Sequence, residues 1–282
     1  MKLNIQTAAA LAFTAALSGC VTMEKKPAAF DDGHSLAYNI ARAGGLETGI
    51  KDASAPKNSN TGMPESSMFN TASAAVAYAN PTAGLSNAQG LGLNLIASAI
   101  APNSHGARSS IVAWMPASQA ASAEEAQSKM IDIVSQSLNE SLNKQNLKFS
   151  KTRKSEKGTS FFIEDSNLNC ESIDQGSAKA CVIYLNIFKP SKTSTPEFVK
   201  NGEKESWAFT SSHGFYYNAM KMEISRTSSI NTLDVVQNTS VTLPSWVFIY
   251  SSPNDTYIDR SKKKNSMYPM ILSKGNAYYF VK

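Results

Sequence analysis

Residues 122–146, "SAEEAQSKMIDIVSQSLNESLNKQN", constrain the fold of this chain more than any other stretch. Apolar side chains recur along it at helical spacing: Met130, Ile131, Val134, Leu138 and Leu142. Ser122 and Glu125 have the spacing of a capping box, in which the serine accepts a hydrogen bond at the helix start. Because such an apolar stripe must be buried against other elements, the segment predicts a long core-facing helix.

Short apolar runs on both sides of this helix predict the surface on which it packs. Runs rich in β-branched and aromatic residues, which favour strands, occupy 109–116, 158–165, 179–190 and 245–253. The last residues, 268–282, predict a hairpin around "SKGN", and 228–244 predict a second helix. Strands and helices in this order indicate an α+β fold: an antiparallel or mixed sheet with helices packed on one face.

The beginning of the chain has the layout of a bacterial secretory signal. Lys2 precedes a short apolar run that ends in small residues, and the run falls short of the roughly 20 apolar residues of a membrane span. Leu17-Ser18-Gly19-Cys20 resembles the lipobox of bacterial lipoproteins. The resemblance implies that residues 1–19 are cleaved and that the sulfur of Cys20 carries the lipid.

The residue after the lipobox bears on the location of the protein. Val21 stands where many Gram-negative lipoproteins that stay in the inner membrane have aspartate. By resemblance to that sorting rule, valine implies the outer membrane, with the anchored domain in the periplasm and surface exposure left open. Acyl chains anchor a protein because each buried CH₂ contributes about 0.8 kcal/mol.

Two segments with little periodicity precede the first predicted strand. Residues 20–66 are rich in turn residues and charges and predict a lipid-anchored flexible tether, with a short helix at 35–43. Residues 67–104 contain no Asp, Glu, Lys or Arg and are rich in Ala, Gly, Ser and Asn, so we expect them to be helical in part. They have two interpretations: a buried helix or poorly ordered linker, or a contact surface for another subunit or for the membrane. The globular α+β domain is expected over 105–282.

Cys170 and Cys181 are the cysteines left once Cys20 is assigned to lipid. An oxidising envelope favours their pairing as a structural disulfide. Metal binding is the alternative, but two cysteines without nearby histidines cannot complete a tetrahedral zinc shell. Redox catalysis usually uses cysteines separated by two residues, and these are further apart.

Residue types with catalytic potential are scattered along the chain. His34, His105 and His213 are far apart and are expected on the surface. Ser141 and Lys144 match the S-x-x-K pattern of penicillin-binding enzymes, but no K-T-G sequence accompanies them. Helical spacing on an exposed face explains them better. We therefore predict no catalytic residues, no metal, no cofactor and no enzymatic activity, and a net charge of only +5 does not favour nucleic acid.

An aromatic stretch at 206–220 is the candidate interaction surface. Its members are Trp207, Phe209, Phe215, Tyr216 and Tyr217. Aromatic and polar residues mixed in this way are enriched at interfaces, although packing across strands is an alternative. The first functional hypothesis is a non-enzymatic outer-membrane lipoprotein that assembles an envelope complex with other envelope proteins, such as secretion, conjugation or surface-appendage machinery. A ligand- or glycan-binding lipoprotein and a cell-wall hydrolase are the alternatives.

Overall fold

The computed structural model describes residues 26–46, 50–52, 109–155, 158–170, 180–211, 218–224, 228–252 and 269–280. These residues contain three α-helices: α1 (Leu36–Ala43), α2 (Ala123–Lys144) and α3 (Thr232–Thr242). The long helix and the second helix predicted from the sequence are thereby confirmed as α2 and α3. Residues 35–43 form a helix as well, in keeping with the predicted short helix.

Ten strands form one antiparallel sheet. They are β1 (Ser110–Pro116), β2 (Phe149–Ser155), β3 (Gly158–Ile163), β4 (Cys181–Asn186), β5 (Ser191–Ser194), β6 (Glu205–Phe209), β7 (Ala219–Glu223), β8 (Val247–Ser251), β9 (Met270–Ser273) and β10 (Asn276–Tyr279). The order across the sheet is β10-β9-β8-β1-β7-β4-β3-β2, while β6 pairs with β1 and β5. The α+β class and the antiparallel sheet are therefore confirmed.

Strands β6 and β7 together behave as one long strand with an interruption, and so do β4 and β5. On β1, Ala113 faces Phe209 of β6 and Ser110 faces Ala219 of β7, so both segments run antiparallel to one strand. In the same way β4 pairs with β7, and β5 continues along β6. Asn218 holds the interruption together, since its carbonyl accepts from Ile111 N–H and its Oδ1 accepts from Phe188 N–H at 2.8 Å.

One face of the sheet is covered by α2 and α3, which also pack on each other. On β1 this face is formed by Ile111, Ala113 and Met115, because alternate side chains of a strand point to the same side. The N-terminus of α2 has the predicted cap, with Ser122 Oγ accepting from Glu125 N–H at 3.2 Å. The residues of the predicted apolar stripe are buried: Met130, Ile131, Val134, Leu138 and Leu142.

The opposite face is covered by α1, and here the structure differs from the predicted tether over 20–66. Helix α1 packs against β9 and β10, and its Ile40 is buried together with Leu46 and Ile50. Gly44 lies so close to β1 that an added Cβ would be 2.6 Å from Val112 Cγ1. Residues 26–46 and 50–52 thus belong to the folded domain, which begins well before residue 105, and the helices cover both faces.

The sequence predicts the short helix itself but not its packing on the sheet, because a short, alanine-rich helix carries a weak periodic signal. Its eight residues make only about two turns, and charges and turn residues surround them. The edge strand β2 was missed for a related reason, since it reads "FSKTRKS" and lacks an apolar run. Charged residues on an edge strand also protect it from pairing with another chain.

The predicted disulfide between Cys170 and Cys181 is present, with the two Cα atoms 5.3 Å apart. It connects the turn after β3 to the first residue of β4, and both cysteines are buried. Ser228 Oγ lies 3.3 Å from Cys170 Sγ and joins the chain before α3 to the same point. In the chain-entropy description, closing a loop of this length stabilises the fold by about 3 kcal/mol.

The C-terminal hairpin has the turn chemistry that the sequence predicts. Strands β9 and β10 pair with Ser273 opposite Asn276, which leaves a two-residue turn. The turn residues Lys274 and Gly275 both have positive φ, 52° and 79°. Two such residues define the type I′ turn, whose twist matches that of paired strands.

Candidate functional site

The candidate aromatic surface is only partly within the described residues. Phe215, Tyr216 and Tyr217 lie outside them, as do Cys20, His105 and His213. Trp207 and Phe209 are described, and both are on β6 opposite Met115 and Ala113. They share the face of the sheet that carries α2 and α3.

These two aromatic side chains are structural parts of that face. Phe209 is 1% exposed, so its ring is not available to a ligand. Trp207 is half-buried, and its Nε1–H donates to Ala120 O at 3.0 Å, which ties β6 to the chain entering α2. Packing across strands, the alternative interpretation of the stretch, accounts for Trp207 and Phe209.

A polar cluster that was not predicted from the sequence lies at the N-terminus of α1. Asp52 accepts from the backbone N–H of Ser35 at 2.8 Å and from Ser35 Oγ at 2.5 Å. The same carboxylate accepts from His34 Nδ1 at 3.1 Å. Ser35 is also the N-cap of α1, because its Oγ accepts from Tyr38 N–H at 3.0 Å. The cluster attaches the chain at residue 52 to the start of the helix.

A second set of polar contacts holds residues 29–31, which come before α1 in the chain, against the side of that helix. Asp31 N–H donates to Asn39 Oδ1, and Asn39 Nδ2 donates back to Asp31 O, both at 2.9 Å. Arg42 donates to Ala29 O and approaches the Asp31 carboxylate at 3.6 Å. Asn39 is buried, so it satisfies its amide within the fold. Residues 29–31 are thereby fixed alongside α1.

The residue types serine, histidine and aspartate occur together here, but their geometry is not that of a nucleophilic triad. In such a triad histidine accepts the serine proton and aspartate orients the histidine. Here the Ser35 hydroxyl donates to Asp52 and accepts from Tyr38, and His34 donates to the same carboxylate. The arrangement holds a helix terminus and a chain segment together and does not activate the hydroxyl.

Only part of this cluster has a signal in the sequence. A serine directly before an apolar helical pattern, as at Ser35, is a typical N-cap. Asp52, which is 17 residues further along the chain, follows no motif that connects it to Ser35. Long-range hydrogen bonds of this kind become visible only when the fold brings the segments together.

Ser141 and Lys144 are engaged in the packing of α2 on α3. Ser141 is buried, contrary to the exposed position expected from the sequence, and its Oγ donates to Val235 O at 2.9 Å. Lys144 Nζ donates to Asn238 Oδ1 at 3.1 Å. Both side chains therefore join two helices, as a hydroxyl and an ammonium commonly do at helix contacts.

The acidic groups with lowered pKa values are held as carboxylates on the surface. Hydrogen bonding from Lys189 lowers the pKa of Glu124, and hydrogen bonding from Lys129 and the Ala121 N–H lowers the pKa of Glu125. The hydroxyl of Ser118 does the same for the pKa of Glu203. A general acid at neutral pH needs a raised pKa, so these three are poor proton donors.

Burial raises the pKa of Asp234 and that of Tyr184. Asp234 is in the first turn of α3 and Tyr184 is on β4, so the two groups belong to different layers. Among the described residues, no group of three or more His, Cys, Asp and Glu side chains is placed to hold a metal ion.

Comparison of this chain with protein families, with curated proteins and with solved structures returned no match. None of the described helices has the length and apolar character needed to cross a membrane.

Proposed function

We propose that this protein is an outer-membrane lipoprotein that acts as a non-enzymatic assembly component of a cell-envelope complex. The observation that carries the proposal is the sequence Leu17-Ser18-Gly19-Cys20 at the end of a short apolar run. The thiol of Cys20 receives the lipid, and Val21 directs the mature protein to the outer membrane of a Gram-negative cell. The anchored domain lies in the periplasm.

The disulfide between Cys170 and Cys181 supports an extracytoplasmic location. Such bonds form and persist in oxidising compartments, among them the bacterial periplasm. The bond joins the turn after β3 to the start of β4 and so stabilises this part of the sheet. It is consistent with export and independent of the signal sequence.

The assembly role is supported by the uncharged stretch 67–104, which lies between two parts of the folded domain. Small residues allow backbones to approach closely, and a segment without charges loses little hydration when another protein covers it. We propose that this stretch contacts an envelope partner of the secretion, conjugation or appendage type.

Lipidation is tested by labelling cells with a palmitate analogue and separating their membranes. The wild-type protein should carry the label and sediment with the outer membrane, whereas Cys20→Ser should be unlabelled and soluble. Circular dichroism of Cys20→Ser should match that of the wild type, since the domain does not depend on the anchor. A Cys20→Ser protein that sediments with the outer membrane as the wild type does would refute the anchor.

The assembly role is tested by cross-linking and pull-down from the native envelope. Residues 67–104 are replaced by a Gly/Ser stretch of equal length, so that residues 26–52 still reach their place on the sheet. The replacement should release the protein from a high-molecular-weight complex while it stays lipidated and folded. An unchanged complex would exclude the stretch as the interface.

A further inference from the structure

The distance between the lipid and the folded domain is limited by the sequence. Five residues separate Cys20 from Lys26, the first described residue. At up to about 3.6 Å per residue, the connection spans no more than roughly 20 Å in any conformation. A domain of about 200 residues has a radius of gyration of about 16 Å, so its overall width of more than about 30 Å exceeds the length of this connection.

The point at which the chain enters the domain is also fixed. Residues 29–31 are held against α1 by Arg42 and Asn39, and α1 forms the layer on one face of the sheet. The anchor is thus attached to the α1 face. Helices α2 and α3 lie on the other side of the sheet from this attachment.

Exposed apolar side chains are concentrated at this attachment. Among the described residues, three large hydrophobic side chains are exposed: Phe30 (39%), Leu36 (38%) and Val241 (44%). The first two follow the anchor within the outer layer, whereas Val241 is on α3. Amphipathic surfaces bind the membrane interface by burying such side chains among headgroups and acyl chains.

The charges around these side chains are balanced. In 26–46 and 50–52, Lys26, Arg42 and Lys51 are matched by Asp31, Asp32 and Asp52. Attraction to anionic headgroups requires a basic excess, which this segment lacks. Contact with a lipid surface would therefore depend on the apolar side chains and on the anchor.

We propose that the α1 face is the membrane-facing surface of the domain, with Phe30 and Leu36 in contact with the lipid interface and α2–α3 directed away from it. The inference rests on the proposed lipidation of Cys20. It adds an orientation to the anchor: the domain lies against the membrane, and the surface of α2 and α3 is presented to the periplasm.

The orientation is tested with the mature lipidated protein in vesicles of phosphatidylethanolamine and phosphatidylglycerol. An environment-sensitive fluorophore is attached at Phe30→Cys, Leu36→Cys or Val241→Cys, and quenching by a nitroxide-bearing lipid is measured. The introduced thiol is the one available for labelling, because Cys20 is acylated and Cys170 and Cys181 are paired. Quenching at 30 and 36 should exceed that at 241 at least threefold, and a lower phosphatidylglycerol content should not change it.

A longer connection provides the matched control. Inserting 20 Gly/Ser residues between Val21 and Thr22 adds a root-mean-square distance of about 25 Å, so quenching at 30 should fall by half or more. Equal quenching at 30, 36 and 241 in the original protein would overturn the orientation while leaving the anchor intact. Vesicle binding by Cys20→Ser equal to that of the acylated protein would instead refute the proposed lipidation.

Discussion

The two faces of the sheet are covered by layers that are held in different ways. Helix α2 buries a long apolar stripe and α3 adds Leu233, Val235 and Val236 to the same layer. Side-chain hydrogen bonds, such as that of Ser141, supplement this packing. The α1 layer is a short helix with flanking chain that buries a smaller apolar surface, which includes Ile40, Leu46 and Ile50. Hydrogen bonds that involve Asn39, Arg42 and Asp52 hold the parts of this layer to one another. The α2–α3 layer therefore depends mainly on the apolar area that it buries, whereas the α1 layer combines a smaller buried apolar area with specific hydrogen bonds. Their responses to substitution should differ accordingly.

The largest effect is expected from a cavity in the α2–α3 layer. Leu138→Ala removes a completely buried side chain and should lower the free energy of unfolding by about 2–5 kcal/mol. Chemical denaturation measures the loss, with Asp132→Ala on the exposed side of the same helix as the control, expected to change stability by less than about 0.5 kcal/mol. A small loss at Leu138 would mean that apolar packing does not dominate this layer.

The α1 layer should be sensitive to backbone clearance. Gly45 has φ of 74°, and an added Cβ would lie 2.2 Å from Ser211 O. Gly202 has φ of 84°, and an added Cβ there would have no atom within 4 Å. Its replacement by alanine therefore measures the cost of the positive φ alone, without a steric clash. Gly45→Ala should cost about 3 kcal/mol and Gly202→Ala about 1 kcal/mol in denaturation experiments. Equal losses would show that α1 is not tightly seated on the sheet.

Removal of the carboxylate at the start of α1 should loosen one layer only. Asp52→Ala leaves the Ser35 N–H and hydroxyl without their acceptor and should cost about 2 kcal/mol. Hydrogen exchange should accelerate for the amides of α1 and stay unchanged for those of α2. Asp32→Ala, on the exposed side of the same segment, is the control. Acceleration in both helices would mean that the layers unfold as one unit.

The smallest expected effect is the difference in stability loss between substitutions of the two serine N-caps, Ser122 and Ser35. Ser122 accepts a hydrogen bond from Glu125 N–H, and Ser122→Ala should cost about 1 kcal/mol. Ser35 caps α1 and also donates to Asp52, so Ser35→Ala should cost roughly 1.5 kcal/mol. Thermal unfolding of both variants measures the difference. Identical losses would indicate that the Asp52 contact adds nothing to the cap.

The same contrast explains what the sequence could predict. The stripe of α2, the apolar strands and the Lys274–Gly275 turn depend on neighbours along the chain, so their patterns are visible in the sequence. The packing of α1 on the sheet depends on residues brought together from distant positions in the chain. The apolar pattern of α1 itself covers only a short stretch of sequence. The polar cluster followed the same rule: the Ser35 cap could be predicted, whereas its connection to Asp52 could not.

The aromatic stretch illustrates a different limit of sequence interpretation. Trp207 and Phe209 are residue types that are enriched at interfaces, yet strand pairing places both on the face covered by α2 and α3. Which side of a strand faces the core depends on register and on what covers each face. A run of aromatic residues does not contain that information when both faces of the sheet are covered.

The seating of α1 on β9 and β10 also bears on the order in which the domain folds. Helix α1 (Leu36–Ala43) precedes all the described strands along the chain, whereas β9 and β10, which receive it, follow the other described strands. Contacts between such distant positions form slowly. We therefore expect α1 to dock on the sheet late in folding, after the α2–α3 layer has formed.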